Sequence, residues 1–431
     1  MFKKLLIAFL MFSFFQPVDG WAANKSKRKS RRAKAVSTFK STSSGEVKLE
    51  SRFFEDDNKT ITEDTQLSLF SRLNIKTLHH KRWREYFRFT ARADKYDPSR
   101  AIFVVEEAYT KYQNGGFEFS LGSQMLNWSA TEAFHPADIV NSRNFDSNFE
   151  NAEKMGEPMV MLAYTGEDAK FSVFYMPMII KPMLPQYTNR LSLSAGFPVA
   201  EPIFVNKDGE IIETEYSPQF GARLEYTFSD ADVSLHFIDH IDRTTPFIIL
   251  TPSTVIPVYL PVQQVGGTFQ MVMDSWVFKL EAAQRSYKEN VNPTYGSLDV
   301  PDHSVVALGL EYGWSSVRGS DTAIILEGQS LLGTTKEERA LINIFQQDLL
   351  LGYRYAFNDV RGQEIFISTI FDLERDAEIL YNLSYQRRIT SRWKLNTGLR
   401  VIDAKPKEAI PVGLERIDGA NQVFFEFTRF F

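Results

Sequence analysis

The feature that most constrains the fold is a period-two alternation of apolar and polar residues, repeated in segments of about ten residues from residue 45 onward. In a β-strand this alternation sends one set of side chains to each face of the sheet. The clearest segment is 392–402, where Trp393 and Leu399 alternate with Lys394 and Arg400. Such long, two-faced segments predict strands that separate an apolar environment from a wet one.

Counting these segments gives eighteen predicted strands. They start near Glu46, Thr65, Trp83, Ile102, Phe117, Pro158, Asp168, Gln219, Ala231, Gln263, Ser275, Ser304, Asp321, Gln347, Glu364, Ile379, Arg392 and Asn421. An even number is typical of closed bacterial barrels made from one chain. Sixteen strands remain an alternative, which would change the bore and reverse some side assignments.

The predicted connections alternate between short and long. The short ones are 113–115, 166–167, 229–230, a turn around Asp274, and 389–391. The long ones are 124–157, 176–218, 240–262, 287–303, 332–345 and 404–420, and only 375–377 breaks the alternation. Short turns on the inner side and long loops on the outer side are typical of a transmembrane barrel.

A soluble β-sandwich or propeller is the alternative fold. Strands in such folds average five or six residues, whereas these segments run to ten or twelve, with Trp and Tyr near their ends. Lipid excludes unpaired backbone groups, so a membrane sheet must close on itself. We therefore predict an all-β fold, a transmembrane antiparallel β-barrel of about eighteen strands with long external loops.

The last eleven residues, 421–431, carry a resemblance to a known class. Alternate positions back from the terminus are Phe431, Arg429, Phe427, Phe425 and Val423. This pattern resembles the C-terminal signature of bacterial outer-membrane proteins, in which a terminal phenylalanine follows alternating apolar residues. The resemblance implies that Phe431, Phe427 and Phe425 form an assembly signal read by the barrel-assembly machinery. Arg429 departs from the pattern, although a long arginine near a strand end can extend to lipid headgroups.

The N-terminus resembles an export signal. Lys3 and Lys4 precede an apolar stretch over 5–15 and small residues at Gly20 and Ala22, which predicts cleavage after Ala22. An uncleaved anchor is the alternative, but eleven apolar residues are far fewer than the ~20 that a spanning helix needs. Seven basic residues crowd 24–35, a composition that predicts disorder. The predicted division is a signal peptide over 1–22, a basic disordered periplasmic tail over 23–44 and an outer-membrane barrel over 45–431.

A second resemblance lies between Gly122 and Asn144. The stretch is similar to the Gly-x-Gln-x-x-x-Trp-Gly…Asp-x-x-Asn motif of a porin-like family distantly similar to alginate-export channels. The matching residues are Gly122, Gln124, Trp128, Asp138 and Asn141, with Ser129 in place of the usual glycine. The resemblance implies that this third external connection folds inward, and that Trp128, Asp138, Asn141 and Arg143 line a pore constriction. Alternatively, Asp138 and Asn141 cap turns around Pro136.

Basic residues cluster on the predicted inward faces of strands that closure brings together. They are Lys48, Arg52, Arg72, Lys76, Arg84, Arg88, Arg92, Arg392, Lys394 and Arg400. Acidic residues on the opposite arc are Glu225, Glu281, Glu311, Asp348 and Asp372. We predict a basic lumen wall that favours anions, and a mixed-charge lumen without strong selectivity is the alternative.

Composition narrows the function further. Cysteine is absent, so no disulfide or thiolate metal site stabilises the fold. The net charge of −5 gives no indication of a nucleic-acid partner. The expected function is passive diffusion of small anionic or polar solutes, without a cofactor, a metal or catalysis. Expected partners are outer-membrane lipid and lipopolysaccharide, the assembly machinery, and cell-wall polymer bound by the basic tail.

Two other functions remain open. A barrel hydrolase needs a nucleophile beside a histidine, and none of the six histidines shows such an arrangement in sequence. An adhesin or receptor would use the long external loops. The connection 176–218 is apolar and rich in proline, so it either plugs the pore or faces a partner.

Overall fold

The computed structural model contains one closed, antiparallel sheet of eighteen strands. It describes residues 39–55, 63–79, 81–146, 152–194, 196–212, 216–244, 247–288, 291–292, 296–297, 299–317, 319–375, 378–405 and 411–431. The predicted signal peptide and most of the predicted basic tail lie outside these residues. The all-β barrel predicted from the alternating segments is confirmed.

The barrel strands follow one another around the wall in chain order. They are β1 (Lys40–Phe54), β2 (Thr65–His79), β3 (Trp83–Asp94), β4 (Ile102–Asn114), β5 (Phe117–Gln124), β6 (Glu157–Thr165), β7 (Ala169–Met178), β8 (Tyr216–Thr227), β9 (Ala231–Ile241), β10 (Pro261–Met273), β11 (Trp276–Tyr287), β12 (His303–Ser315), β13 (Asp321–Leu332), β14 (Gln347–Ala356), β15 (Glu364–Asp372), β16 (Ile379–Arg388), β17 (Trp393–Asp403) and β18 (Gln422–Phe430). Predicted starts differ from these by three residues at most, except for β1.

The start of β1 is the predicted boundary that differs most from the structure. β1 begins at Lys40 rather than near Glu46, because Lys40 pairs with Leu78 of β2 beyond the end of β18. The barrel therefore takes in the last five residues, 40–44, of the predicted tail. Ser275 and Arg392 lie in turns, one residue before the starts of β11 and β17.

Closure joins the first strand to the last. Glu46–Phe54 pairs antiparallel with Gln422–Phe430. Beyond the ladder, Gly45 and Phe431 exchange both backbone hydrogen bonds, each 3.0 Å long. These pairings leave no free edge on β1 or β18 along the shared stretch, which is the requirement for a sheet in hydrocarbon.

The two ends of the barrel differ. Short turns connect strands at one end, which we call the turn end, and both the start of β1 and Phe431 lie there. Long connections occupy the other, the loop end. They contain the helix α1 (Lys336–Ile342), the 3₁₀ turns Pro98–Arg100 and Gly413–Ile417, and the short strands Arg143–Asn144, Glu153–Lys154, Ile203–Val205, Ile211–Ile212, Phe247–Leu250, Val255–Tyr259, Val291–Asn292 and Gly296–Ser297. No helix among the described residues is long and apolar enough to cross a membrane.

The outward face of the barrel is apolar. Large exposed side chains on it include Leu49, Phe53, Phe103, Leu121, Leu162, Phe171, Phe220, Leu235, Val265, Leu308, Ile324, Leu351, Ile367, Leu399, Val423, Phe425 and Phe427. Near the turn end, aromatic rings pair across neighbouring strands. Trp83–Tyr112, Phe117–Tyr164 and Trp276–Tyr312 have ring centroids 4.8, 4.8 and 4.5 Å apart. An apolar band bordered by aromatic residues suits a membrane interface.

Arg429, the residue that departs from the C-terminal pattern, lies on this outward face at the turn end. Its guanidinium carbon is 5.9 Å from the centre of the Trp393 ring, directly across the β17–β18 ladder. A cation over an indole face, at the level of the aromatic border, is compatible with headgroups. The position near the strand end explains why an arginine is tolerated among phenylalanines.

We predict that Gly45→Ala weakens barrel closure. A Cβ at this position would lie 2.5 Å from the Arg72 carbonyl oxygen and 2.5 Å from Cζ of Phe431, so the closing strands must shift. Overpacking of this kind costs about 1–3 kcal/mol. The urea midpoint of the refolded barrel, followed by heat-modifiable migration on gels, should fall. Gly328→Ala in β13, where the nearest atom is 3.8 Å away, is the control and should leave the midpoint unchanged; equal midpoints for both variants would contradict the prediction.

Candidate functional site inside the barrel

The third long connection, 125–156, folds into the lumen and crosses to the opposite wall. Its backbone N–H groups bind a buried carboxylate there. Glu281 of β11 accepts hydrogen bonds from the N–H groups of Ala130, Thr131 and Ala137 at 2.6, 3.0 and 3.1 Å. The inward folding implied by the motif between Gly122 and Asn144 is therefore present.

A second carboxylate holds the same segment. Glu327 of β13 accepts from the N–H groups of Glu132 and Ala133 at 2.5 and 2.8 Å. Arg354 of β14 then pairs with the Glu132 side chain at 2.5 Å. Three strands of the far wall thus hold the tip of the segment at a defined position.

Trp128 packs the segment against the wall formed by β6 to β9. Its ring centroid lies 5.8 Å from Phe174 and 4.9 Å from His236, and the Arg223 guanidinium carbon is 4.8 Å from its centre. Met159, Met161, Met176 and Ile238 join the same buried cluster. This apolar contact fills the lumen on that side, so Trp128 fixes the segment instead of lining an open passage as predicted.

The other predicted constriction residues organise the segment internally. The Asn141 amide accepts from Leu126 N–H at 2.7 Å and donates to the carbonyls of Gln124 and Met155, both at 2.8 Å. This network buries Asn141, in line with the alternative that it caps local structure.

Asp138 and Arg143 are joined by an ion pair within the segment. Asp138 accepts from Trp128 N–H at 3.2 Å and pairs with Arg143 at 3.0 Å and Lys154 at 2.5 Å. Burial lowers the pKa of Lys154. Of the four predicted constriction residues, only Arg143 lines the main cavity described below.

A second apolar cluster fills the lumen near the loop end, on the side of β12 to β17. Inward side chains of the wall meet side chains from four long connections. The cluster contains Phe54, Phe134, Leu191, Ala307, Ile325, Phe345, Leu350, Ile370, Leu380, Ile402, Ala404, Leu414, Ile417 and Ala420. We call this group the loop-end plug.

The segment 185–194 contributes Leu191 to the loop-end plug and also reaches the opposite wall. Asn189 donates to Asp146 at 2.7 Å and to Asp97 at 3.3 Å. Arg190 pairs with Asp64 beside the start of β2. The connection 176–218 thus covers part of the loop end, which agrees with a plug more than with a free outer loop.

A cavity of about 840 Å³ lies toward the turn end, between the folded segment and β1 to β4. Four cations and four carboxylates line it. They are Arg72, Arg88, Arg143 and Lys154, with Glu46, Glu106, Glu107 and Glu153. Burial raises the pKa of Glu153. The formal charges of these eight groups cancel.

The basic residues predicted to form a lumen wall are present, but carboxylates alternate with them and form ion pairs with several of them. Lys48, Arg52, Arg72, Lys76, Arg84, Arg88, Arg92, Lys394 and Arg400 share the inward parity of their strands, and Arg392 has the same parity but lies in the turn one residue before β17. Arg72 pairs with Glu46 at 3.0 Å and with Glu106 at 2.9 Å. Arg92 pairs with Glu50 at 3.0 Å. The acidic partners, absent from the sequence prediction, remove most of the wall's excess positive charge.

The predicted acidic arc is compensated as well, with one exception. Glu311 pairs with Lys279 at 3.2 Å, Glu225 lies 3.5 Å from Arg223, and Glu281 binds the folded segment. A strong transverse field across the lumen therefore does not follow from these residues. Asp348 and Asp372 are the exception, because neither forms an ion pair among the described residues.

The comparisons with known proteins concern overall structure. No family model and no curated protein matches the chain. Among solved structures, the chain is similar to a mutant of the Rh. blastica porin, with a TM-score of 0.44 and 11% identity over 91% of this chain and 100% of that one. It is also similar to a loop-deletion mutant of OmpT, an outer membrane protein of Vibrio cholerae, with a TM-score of 0.43 and 10% identity over 91% and 100% of the two chains.

We predict that Glu281→Gln loosens the folded segment. The amide keeps one acceptor but turns an NH₂ group toward a backbone N–H, and each lost charge-assisted bond is worth about 1.5–3 kcal/mol. Limited proteolysis should cut within 125–156 faster than in the wild type. Glu311→Gln removes the same charge from an inward residue that does not contact the segment and serves as the control. A protease pattern identical to wild type would contradict the anchoring role.

Proposed function

We propose that this protein is an outer-membrane channel for small polar solutes, with its turn end in the periplasm and its loop end outside. The apolar outward face and its aromatic border support insertion in a bilayer. The observation that carries the proposal is the charge-lined cavity of about 840 Å³ beside a segment that folds into the lumen. A wet, polar interior narrowed by one loop suits diffusion of small hydrophilic molecules.

The pairing of charges argues for weak charge selectivity in this channel. Arg88, for example, lies 3.4 Å from Glu107 across the β3–β4 ladder, where both face the cavity. Alternating positive and negative groups offer hydrogen bonds to neutral and zwitterionic solutes without a net field that favours one ion. We therefore propose polar solutes in general, with the predicted anion preference reduced by the acidic partners.

Segment 185–194 covers part of the loop end. This cover is a second functional element of the proposed channel. The bonds of Asn189 and Arg190 to the opposite wall hold segment 185–194 across the mouth. These contacts are polar and join the segment to Asp64, Asp97 and Asp146, which lie in other loop-end connections. We propose that release of this segment widens the entrance.

The assembly and tail partners are proposals from sequence. Phe425 and Phe427 point outward from β18, and Phe431 pairs through its backbone with Gly45. Recognition of these residues by the assembly machinery would precede closure of the strand. Binding of cell-wall polymer by the basic stretch 24–35 rests on its charge and its export to the periplasm.

We predict opposite selectivity shifts from the two halves of one ion pair. Arg88→Gln and Glu107→Gln both break the Arg88–Glu107 ion pair, and Arg88→Gln also removes a hydrogen bond to Asn74, but the two variants leave cavity charges of opposite sign. Reversal potentials across planar bilayers under a KCl gradient should be near zero for wild type, shift toward cation preference in Arg88→Gln, and toward anion preference in Glu107→Gln. A strongly anion-selective wild type would contradict the weak selectivity, and equal shifts in both variants would place this pair outside the conduction path.

We predict that the double variant Asn189→Ala/Arg190→Ala raises single-channel conductance. Removing both side chains weakens the attachment of segment 185–194 to this side of the loop end, because its hydrogen bonds to Asp97 and Asp146 and its ion pair with Asp64 are lost. Lys207→Ala, which removes an exposed ion pair with Asp239 in the same long connection, is the control. Conductance equal to wild type in the double variant would argue against a cover at the loop end.

A further inference from the structure

Asp348 and Asp372 form a buried, like-charged pair at the loop end of the lumen. The two residues lie directly opposite each other in the β14–β15 ladder, on the inward face. Their side chains are 1% and 8% exposed. Directly opposed Cβ atoms in antiparallel strands are about 4.5–5.5 Å apart, so the two carboxylates can approach one common point.

Three of the four carboxylate oxygens of this pair have no hydrogen-bond partner among the described residues. Neither oxygen of Asp348 has a hydrogen-bond partner among the described residues, and neither has Oδ2 of Asp372. The other Asp372 oxygen accepts from the N–H groups of Glu374 and Arg375 at 2.7 and 2.8 Å. A buried ionised carboxylate is stable only when it is paired or coordinates a metal.

The nearby cation is already engaged. Arg375 pairs with Glu378 and with Glu415, both at 2.5 Å. Glu378 is the next residue across the sheet, because its carbonyl accepts from Asp372 N–H at 3.0 Å. Glu378 and Glu415 therefore share this guanidinium, and no cation among the described residues forms an ion pair with Asp348 or Asp372.

The amide oxygen of Gln346 is a neutral acceptor close to these carboxylates. The fully buried side chain of Gln346 donates to the carbonyls of Asn343 and Ile344, while its Oε1 has no partner. A Cβ placed on Gly413 would lie 3.0 Å from Gln346 Nε2 and 3.3 Å from Glu378 Oε2, so this amide borders the acidic group. Gln346 also precedes Asp348 by two residues, so a buried amide oxygen without a partner and a buried carboxylate without a partner lie close together in the chain.

We propose that Asp348 and Asp372 bind a divalent cation, with Gln346 Oε1 and water completing the shell. The donors are all oxygens, which favours Ca²⁺ over Zn²⁺ or copper. No group of three or more His, Cys, Asp and Glu side chains suited to a metal exists among the described residues, so the site has two carboxylates and relies on neutral oxygens. The ion would tie β14 and β15 to the connection that contributes Phe345 to the loop-end plug.

Calcium binding to the full-length, refolded barrel in detergent, prepared without lipopolysaccharide, tests this proposal. Isothermal titration with CaCl₂ at pH 7.5 should give one saturable site per barrel, with a Kd on the order of 0.1–1 mM, as in modest extracellular sites. Asp348→Asn/Asp372→Asn should bind at least tenfold more weakly. Asp359→Asn carries the same kind of change at the exposed turn between β14 and β15 and should bind as the wild type does.

Thermal unfolding gives a second readout that does not depend on titration heats. Calcium should raise the Tm of the wild type above its value in EDTA. The Tm of the double variant should be the same in calcium and in EDTA. In EDTA the double variant should exceed the wild type, because the repulsion has been removed. Absence of a saturable site in the wild type, or equal binding by the double variant, would overturn the proposal. A wild type that is insensitive to calcium but stabilised by acidification to pH 5 would indicate a shared proton and would overturn it too.

If the double variant does not fold, Asp372→Asn alone replaces it, because one carboxylate should also lower the affinity at least tenfold. Conductance is not used in any of these measurements. The proposal of a cation site and the proposal of a channel can therefore be refuted independently of each other.

Discussion

The pairing of β1 with β18 is the constraint on which the rest of the structure depends. Each backbone group left unpaired in hydrocarbon costs several kcal/mol, so a membrane sheet with open edges would not persist. Closure also fixes parity around the wall, since a slip of one residue would exchange the outward and inward faces. Phe425 and Phe427 can face lipid only because Phe424 and Glu426 face the lumen.

Closure creates an interior in which charges must find partners within the barrel. β1 lies between β2 and β18, so residues from opposite ends of the chain meet there, as Lys48 does with Glu50 and Glu426 at 3.2 and 3.9 Å. Arg92, 1% exposed, relies on Glu50 for the same reason. A wall of unpaired arginines would carry a desolvation cost that mixed charges avoid.

The strands could be predicted from sequence because alternation is local, whereas the partners of the basic wall were only partly accessible. Glu46 and Glu50 share the parity of Lys48, so the pattern itself places them inward. Glu106 and Glu107 both face the lumen only because a register shift interrupts the β3–β4 ladder at Arg88/Phe89, and alternation alone would send one of them outward.

The folded segment was harder to predict than the wall. The motif that contains Trp128 was recognised, but its role depends on packing against Phe174 and His236, which lie on strands distant in sequence. Glu153 enters the lumen on the same segment, and no periodic pattern marks its position. Buried carboxylates also explain what holds the segment: Glu281 and Glu327 need donors away from water, and a crossing loop has unpaired N–H groups to satisfy. The carboxylates accept the hydrogen bonds that the backbone N–H groups of the loop would otherwise lack, and these N–H groups stabilise the buried negative charges. Asp348 is equally buried and is not held by such a loop, and the proposed cation would supply the positive partner that it lacks.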